Sequence, residues 1–374
     1  MNHRDRLKAV MHYEPYDRIP VVSFGFWAET LQKWKAEGYP LRDPVFDRYM
    51  DDHEYEQINR QLGFDYNWHT ETGVPFGLLK PAFERTVLEV YPDGKQKIRD
   101  TDGAIVLVRP GHASIPKEVG HTLTDRASWE EFYLPRLTYG REKLDLALFE
   151  QLKAQNHTRE YPLGLFCGSM LGRMRNWLGL ENFIYLWEDD EELFTDIVNA
   201  VGELLYARTK DILETGVRFD YAHFWEDMCG NNGPLVKMSV MREIAGPHYR
   251  RITDLLHQYG IDIVSVDCDG RIDQMIPVWI ENGVNTMFPM EIGTWQANIG
   301  AWRKQYGKKI LGVGGVDKRI FAMDYAAIDK EIDRIRPFVE QGGYIPCPDH
   351  RIPPDAKWEN VQYYCDRLRQ VFSK

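Results

Sequence analysis

The chain has 374 residues, 43% of them hydrophobic, a formal net charge of -11 and a pI near 5.5, with lysines and arginines scattered rather than striped, which excludes phosphate-backbone binding as its main task. Its five cysteines (Cys167, Cys229, Cys268, Cys347, Cys365) are odd in number and lack CxxC spacing, so neither a disulfide framework nor a thiolate zinc cluster is expected. No apolar run reaches the roughly 18 residues of a membrane span and Met1-Asn2-His3-Arg4-Asp5-Arg6 is no signal region, so the expectation is a soluble, unexported protein of the reducing cytoplasm.

Residues 3–12 carry charged and apolar side chains at helical spacing, and Glu14-Pro15 ends that helix before a first strand at 19–24. Gly25-Phe26-Trp27 follows, a sharp turn with two large aromatics. Residues 30–62 read as helical with a break at 40–44, and 63–68 read as a second strand that ends in Trp68-His69-Thr70-Glu71. Between about 72 and 118, short β-type runs at 86–91, 95–99 and 104–108 are joined by Pro92-Asp93-Gly94 and Asp100-Thr101-Asp102-Gly103. These turn signals predict a meander inserted after strand two. A helical stretch with a polar linker, 125–160, leads to strand three at 161–166. Helices at 180–187 and 191–215 lead to strand four at 219–224, which runs into Trp225-Glu226-Asp227-Met228-Cys229-Gly230. The helix 239–258 feeds the fifth strand, Ile263-Val264-Ser265-Val266-Asp267-Cys268-Asp269-Gly270, apolar and β-branched until it ends in two carboxylates. Strands six to eight, at 285–288, 309–313 and 343–346, alternate with helices at 271–282, 295–306 and 325–342, and a last helix covers 358–372.

This rhythm predicts an α/β protein, a (β/α)8 TIM barrel with an N-terminal helical extension and the meander insertion, in one domain over 1–374. A doubly wound sheet would bring a glycine-rich phosphate loop after strand one, and Gly25-Phe26-Trp27 is not one. Barrel chemistry sits at the C-terminal strand ends. Those ends carry Glu71, His223, Glu226, Asp227, Asp267, Asp269, Glu291, Asp317, Asp349 and His350. Asp267 and Asp269 stand two apart in an extended run, so they share a face, whereas of the adjacent Glu226 and Asp227 one at most faces inward. Carboxylates gathered in a pocket persist with a cation, a shared proton or a cationic substrate group among them; each taken alone is as readily a helix cap or ion-pair partner. Aromatics at strand ends can wall a flat organic substrate.

The segments Glu226-Asp227-Met228-Cys229-Gly230, Gly233-Pro234-Leu235, Gly314-Gly315-Val316-Asp317-Lys318 and Gly342-Gly343-Tyr344-Ile345-Pro346, with Asp349-His350 and Pro353-Pro354-Asp355, resemble the uroporphyrinogen decarboxylase superfamily. The opening Arg4-Asp5-Arg6-Leu7-Lys8-Ala9-Val10, Glu14-Pro15 and Asp17-Arg18-Ile19-Pro20 is similar to that family's start. The resemblance covers most of the chain outside 72–118 and implies the barrel. The superfamily holds decarboxylases, corrinoid-dependent methyltransferases and, more distantly, cobalamin-independent methionine synthase. Its decarboxylases carry Met-Arg-Gln-Ala-Gly-Arg after strand one, with arginines that hold substrate carboxylates; Ser23-Phe24-Gly25-Phe26-Trp27 stands here instead. Its methyltransferases build a zinc site from His-x-Cys-Gly after the fifth strand and a Cys after the eighth, and the methionine synthases add a Glu after the sixth.

The matching positions here are Asp267, Asp269, Glu291 and His350, carboxylates in place of thiolates. The resemblance therefore implies a divalent metal on these four, zinc first and other divalent ions as options, with His223, Glu226 or Asp227 handling a proton. Glu71 and the aromatics Phe24, Phe26, Trp27, Trp68 and Trp177 would hold a methoxylated aromatic donor for O-demethylation. The acceptor would be a corrinoid on a separate protein, and a homodimer is compatible with this. A metal-free decarboxylase or lyase is the alternative, and a catalytically silent barrel that binds a partner is the third.

Overall fold

The computed structural model describes residues 1–41, 52–69, 71–109 and 116–374. Thr70, most of the helix break expected at 40–44 and the 110–115 part of the expected insertion lie outside them. The strands are β1 Val22–Ser23, β2 Tyr66–Asn67, β3 Glu71–Gly73, β4 Thr86–Val90, β5 Gln96–Arg99, β6 Ala104–Val108, β7 Lys117–His121, β8 Gly164–Gly168, β9 Tyr221–Trp225, β10 Cys229–Gly230, β11 Gly233–Pro234, β12 Val264–Asp267, β13 Thr286–Met290, β14 Leu311–Val316 and β15 Tyr344–Pro348.

Seven of them form one parallel sheet in the order β15-β14-β13-β12-β9-β8-β3, and β1 pairs with β2 in a separate parallel ribbon. Successive parallel strands need a crossover, and helices supply it. Leu171–Leu178, Leu180–Asp189 and Glu191–Leu213 lie between β8 and β9, Gly246–Gln258 between β9 and β12, Ile276–Glu281 between β12 and β13, and Tyr325–Val339 between β14 and β15. Side-chain caps start two of these helices: Asp190 accepts from the Leu193 N–H at 2.8 Å and Asp324 from the Ala327 N–H at 2.9 Å. The strands β9, β12, β13, β14 and β15 are buried almost throughout, as strands covered on both faces are. Among the described residues no helix is long and apolar enough to cross a membrane.

The expected second strand, 63–68, is shortened to β2, and a separate strand, β3, begins beyond it at Glu71. Trp68 N–H still donates to Ser23 O at 2.9 Å, but the Asn67 side chain takes the next N–H, that of His69, also at 2.9 Å. A side chain that accepts from the backbone two residues on makes a turn and ends the ladder. β2 therefore stays with β1, while β3 pairs with β8. β1 also lies near β15, and beyond the ends of both strands the Ile352 N–H donates to Gly25 O at 3.0 Å and the Trp27 N–H to Ile352 O at 3.3 Å.

The meander has four antiparallel strands, β4 to β7, and the last was not read from the sequence because Lys117-Glu118-Val119-Gly120-His121 carries little β-type composition. Ile98, Ala104 and Val106 are its small core. It is tied to the helix Leu171–Leu178, which follows β8, by Arg173, whose Nη1 donates to Asp102 at 2.6 Å and whose side chain is 1% exposed.

Candidate active site

The parallel register of β9 on β12 sets His223 opposite Ser265 and Trp225 opposite Asp267. Ser265 Oγ donates to Ala222 O at 3.3 Å, so its lone pairs are left to accept from His223 Nδ1. With the Ser265 proton donated to Ala222 O, Nδ1 carries the ring proton and Nε2 presents a bare lone pair. His223 is 1% exposed, and burial holds its pKa below 6.5. Its Nε2 has no hydrogen-bond partner and lies 3.7 Å from Glu71 Oε1, which also has none.

His69 projects from the turn between β2 and β3. Its Nδ1 is 3.5 Å from Glu71 Oε1 and its Nε2 is 3.4 Å from Asp267 Oδ2. Burial works against a charge on this ring, but the Glu71 and Asp267 carboxylates outweigh burial and raise it to about 10. Glu71 is held below its usual value despite burial, by the His223 and His69 rings. One ring nitrogen each of His69 and His223 and one oxygen of Asp267 lie within 4.8 Å of one another.

Asp267 also belongs to a second group. One oxygen each of Asp227, Asp267 and Asp269 lie within the same 4.8 Å. Asp227 sits in the left-handed region, φ 43°, a conformation that costs a non-glycine residue of order 1 kcal/mol or more. Its Oδ1 accepts from the Asp269 N–H at 3.1 Å. Burial, then the Asp269 and Asp267 charges, push Asp227 up to about 8, against the pull of Arg175. His350 Nε2 is 3.4 Å from Asp269 Oδ2 and its ring stacks on Trp27 at 5.6 Å. Phe24 closes the gap, 4.9 Å from His350, 5.1 Å from His69 and 4.6 Å from Phe288.

Asp267, Asp269 and Asp227 thus meet, with His223, Glu71, His350, Phe24 and Trp27 beside them. Glu291 is 7% exposed and accepts from the Gly270 N–H at 2.7 Å and the Thr294 hydroxyl at 2.8 Å. Burial, then Asp269, raise its pKa. Glu291 and His350 belong to neither group of clustered ligand atoms among the described residues. Glu226, expected to handle a proton, faces the other way. It is fully buried and accepts from the Met170 and Gly172 N–H groups at 3.0 and 2.9 Å, where the helix Leu171–Leu178 begins with unpaired donors. Asp349 likewise accepts from the Ile292, Gly293 and Lys318 N–H groups, and Asp317 pairs with Arg319.

Three aromatics expected at the substrate are core instead. Phe26 is 1% exposed and packs edge-on to Trp34 at 5.7 Å, Trp68 stacks on Tyr221 at 4.7 Å, and Trp177 packs on Tyr133 at 5.4 Å. Phe24 and Phe26 differ because Gly25, at φ 95°, breaks the alternation that would have put them on one face. His69, Ser265 and Phe288 are at the site without having been expected there from the sequence. A histidine ending a predicted strand two residues before an acid was the available signal for His69.

Gly270 holds the two acid-bearing loops together. Its φ is 86°, and a Cβ there would meet Cys229 O at 2.4 Å, while Arg271 N–H donates to Gly230 O at 3.0 Å. Gly270→Ala is expected to destabilise the fold by about 1–3 kcal/mol in urea unfolding and to lower activity further by separating Asp227 from Asp269. Unchanged stability would show that these loops do not pack as described.

No curated protein matches the chain. Among solved structures it is similar to a methyltransferase from Methanosarcina mazei, at 14% sequence identity with a TM-score of 0.61, covering 99% of each chain; at that identity the likeness is one of fold. The sequence model described as uroporphyrinogen decarboxylase (URO-D) matches residues 126–371, from the helical segment before β8 through the last helix, and takes in β9, β12 and the acids at their ends. The chain belongs to the uroporphyrinogen decarboxylase family.

Proposed function

We propose that this protein is a metal-dependent methyltransferase that removes a methyl group from a small methoxylated aromatic donor and passes it to a corrinoid on a separate protein. The observation that carries this reading is the convergence on Asp267, at the end of β12, of two imidazoles on one side and two further carboxylates on the other. So many acids around one buried carboxylate call for a counter-charge. The likeness to a methyltransferase structure agrees with it. We read the seven-stranded sheet and the β1–β2 ribbon as one eight-position barrel, closed where β1 lies against β15 and where β2 and β3 share a strand path. The cluster then occupies the C-terminal end, where such barrels do their chemistry.

A divalent cation fits the donors present. Asp267 is common to both groups, and His223 Nε2, buried and without a hydrogen-bond partner, is a free acceptor when Nδ1 carries the ring proton. A cation bound there would supply Lewis-acid polarisation of the ether oxygen. The chain's own residues do the rest. Trp27, half-buried, offers a ring face for a flat donor with Phe24 and Phe288 packed behind the cluster, and burial around Asp267 keeps water from competing. The methyl–oxygen bond breaks, the methyl group goes to the acceptor, and the oxygen left behind takes a proton held by the acids of the cluster.

The test uses free cob(I)alamin as acceptor and methoxybenzoates and methoxyphenols as donors. Formation of methylcobalamin with an equivalent of phenol, abolished by chelation and restored by Zn2+, is expected. Metal-independent release of CO2 from aromatic or pyrrole carboxylates, without methyl transfer, would replace this reading with a lyase.

A further inference from the structure

We infer that the cation is seated on His69, His223 and Asp267, contributed by the β2–β3 turn, β9 and β12, and not on the Asp267, Asp269, Glu291 and His350 positions that match the family's zinc ligands. This rests on the proposed metal dependence and deepens it. Each imidazole has one nitrogen fixed by an acceptor and the other turned to the same place. His223 Nδ1 is held by Ser265, itself anchored on Ala222 O, leaving Nε2 bare; His69 Nδ1 faces Glu71, leaving Nε2 towards Asp267. In His223 that arrangement, one nitrogen oriented by a hydroxyl and the other free, is how metal-binding histidines are held, and His69 turns its Nε2 to the same carboxylate.

The decisive contact is the unmatched one. With Nδ1 protonated, His223 Nε2 is a buried acceptor without a hydrogen-bond partner, 3.7 Å from Glu71 Oε1, whose nearest ring nitrogen is His69 Nδ1 at 3.5 Å. A buried acceptor left unpaired costs stability, and two facing each other add repulsion. A proton on His69 Nε2 satisfies Asp267 but leaves His223 Nε2 as it was. A cation between the imidazoles and Asp267 satisfies both. The 3.4 Å between His69 Nε2 and Asp267 Oδ2 is close to the roughly 3.3 Å that separates two donors on a tetrahedral ion with bonds of about 2.0–2.1 Å.

The family-matched positions offer less. Both Glu291 oxygens already accept hydrogen bonds and the Asp269 side chain is 41% exposed, although Asp269 Oδ1 and His350 Nδ1 are also buried without hydrogen-bond partners. Three protein ligands with further positions open is the pattern of a reactive site rather than a structural one. Asp227, Asp269 and His350, on the other side of Asp267, are then left to face the substrate.

The experiment measures Zn2+ binding to chelator-stripped full-length protein by calorimetry and elemental analysis, alongside Co2+ absorption spectra, with circular dichroism and thermal melting as folding controls. One ion per chain is expected in wild type, and affinity within about threefold of it in Asp269→Asn, Glu291→Gln and His350→Ala. His69→Gln and His223→Gln should bind more weakly by well over the ten- to hundredfold that loss of an outer-shell partner costs, and Ser265→Ala should fall within that range. Zn2+ retained by folded His69→Gln and His223→Gln but lost from Asp269→Asn or His350→Ala would overturn this seat and leave metal-dependent methyl transfer standing. Wild type that binds no Zn2+ would overturn both.

Discussion

Asp267→Asn is expected to lower the rate of methyl transfer by about 10³-fold or more, the scale of losing a charge aimed at the reacting centre, while the protein stays folded. Asp267 is 6% exposed and is the residue shared by both clusters, so its charge cannot be replaced by a neighbour's. The substitution keeps the side chain's size. It gives up the contact with His69 at 3.4 Å, yet it also removes a negative charge from beside Asp227 and Asp269, so the two changes in stability oppose each other. Methylcobalamin formation followed by absorbance, beside thermal unfolding of the same preparations, separates the effects. A rate within threefold of wild type would remove Asp267 from the chemistry, and with it the proposed site.

The largest effect on folding is expected far from that site. Asp220 precedes β9, its side chain is fully buried, and it accepts from Arg4 at 2.6 Å, Arg159 at 2.7 Å and the Leu163 N–H at 3.0 Å, with Lys8 Nζ 2.8 Å away. Arg4 and Lys8 come from the helix His3–Met11, so this carboxylate pins the N-terminal helix to the sheet. Removing one partner of a buried ion pair leaves the other uncompensated, and the Arg159 side chain is fully buried too. Asp220→Ala should therefore cost about 3–5 kcal/mol in urea unfolding at neutral pH.

The pH dependence has a definite sign. Burial opposes ionisation of Asp220, but Lys8, Arg4 and Arg159 outweigh it and hold the pKa below 3.8. A depressed carboxylate contributes stability above its unfolded pKa, and that contribution is lost as pH falls through the folded value. The gap between wild type and Asp220→Ala should be flat from about pH 5 to 8 and narrow below about pH 4. A gap that keeps its full size at pH 3 would mean that the charge on Asp220 is not what the fold uses.

Some of this was legible residue by residue. The run 263–267 is apolar and β-branched and is a buried strand over Val264–Asp267, because that composition has no other low-energy use between two helices. The expected strands at 219–224, 309–313 and 343–346 overlap β9, β14 and β15, and the shifts at their ends are of one to three residues. The spacing of Asp267 and Asp269 placed both in one group of carboxylates, and the adjacency of Glu226 and Asp227 left one of them facing it. What failed had local causes that composition hides. Asn67 accepts the His69 N–H and ends strand two, Gly25 turns Phe26 away from Phe24, and β7 has the composition of a loop.

The sequence by itself determined the alternation of strands and helices, the acids at strand ends and the family, because periodicity, turn residues and motifs are properties of short stretches. Tertiary structure alone decided which of those acids meet. Glu226, Asp317 and Asp349 were drawn off to backbone donors or an arginine of neighbouring segments, while His69 and Asp267, far apart in the chain, were brought to 3.4 Å. A carboxylate's role follows from which donors and charges surround it, and those neighbours come from other strands, fixed by the pairing register rather than by the residues beside it in sequence.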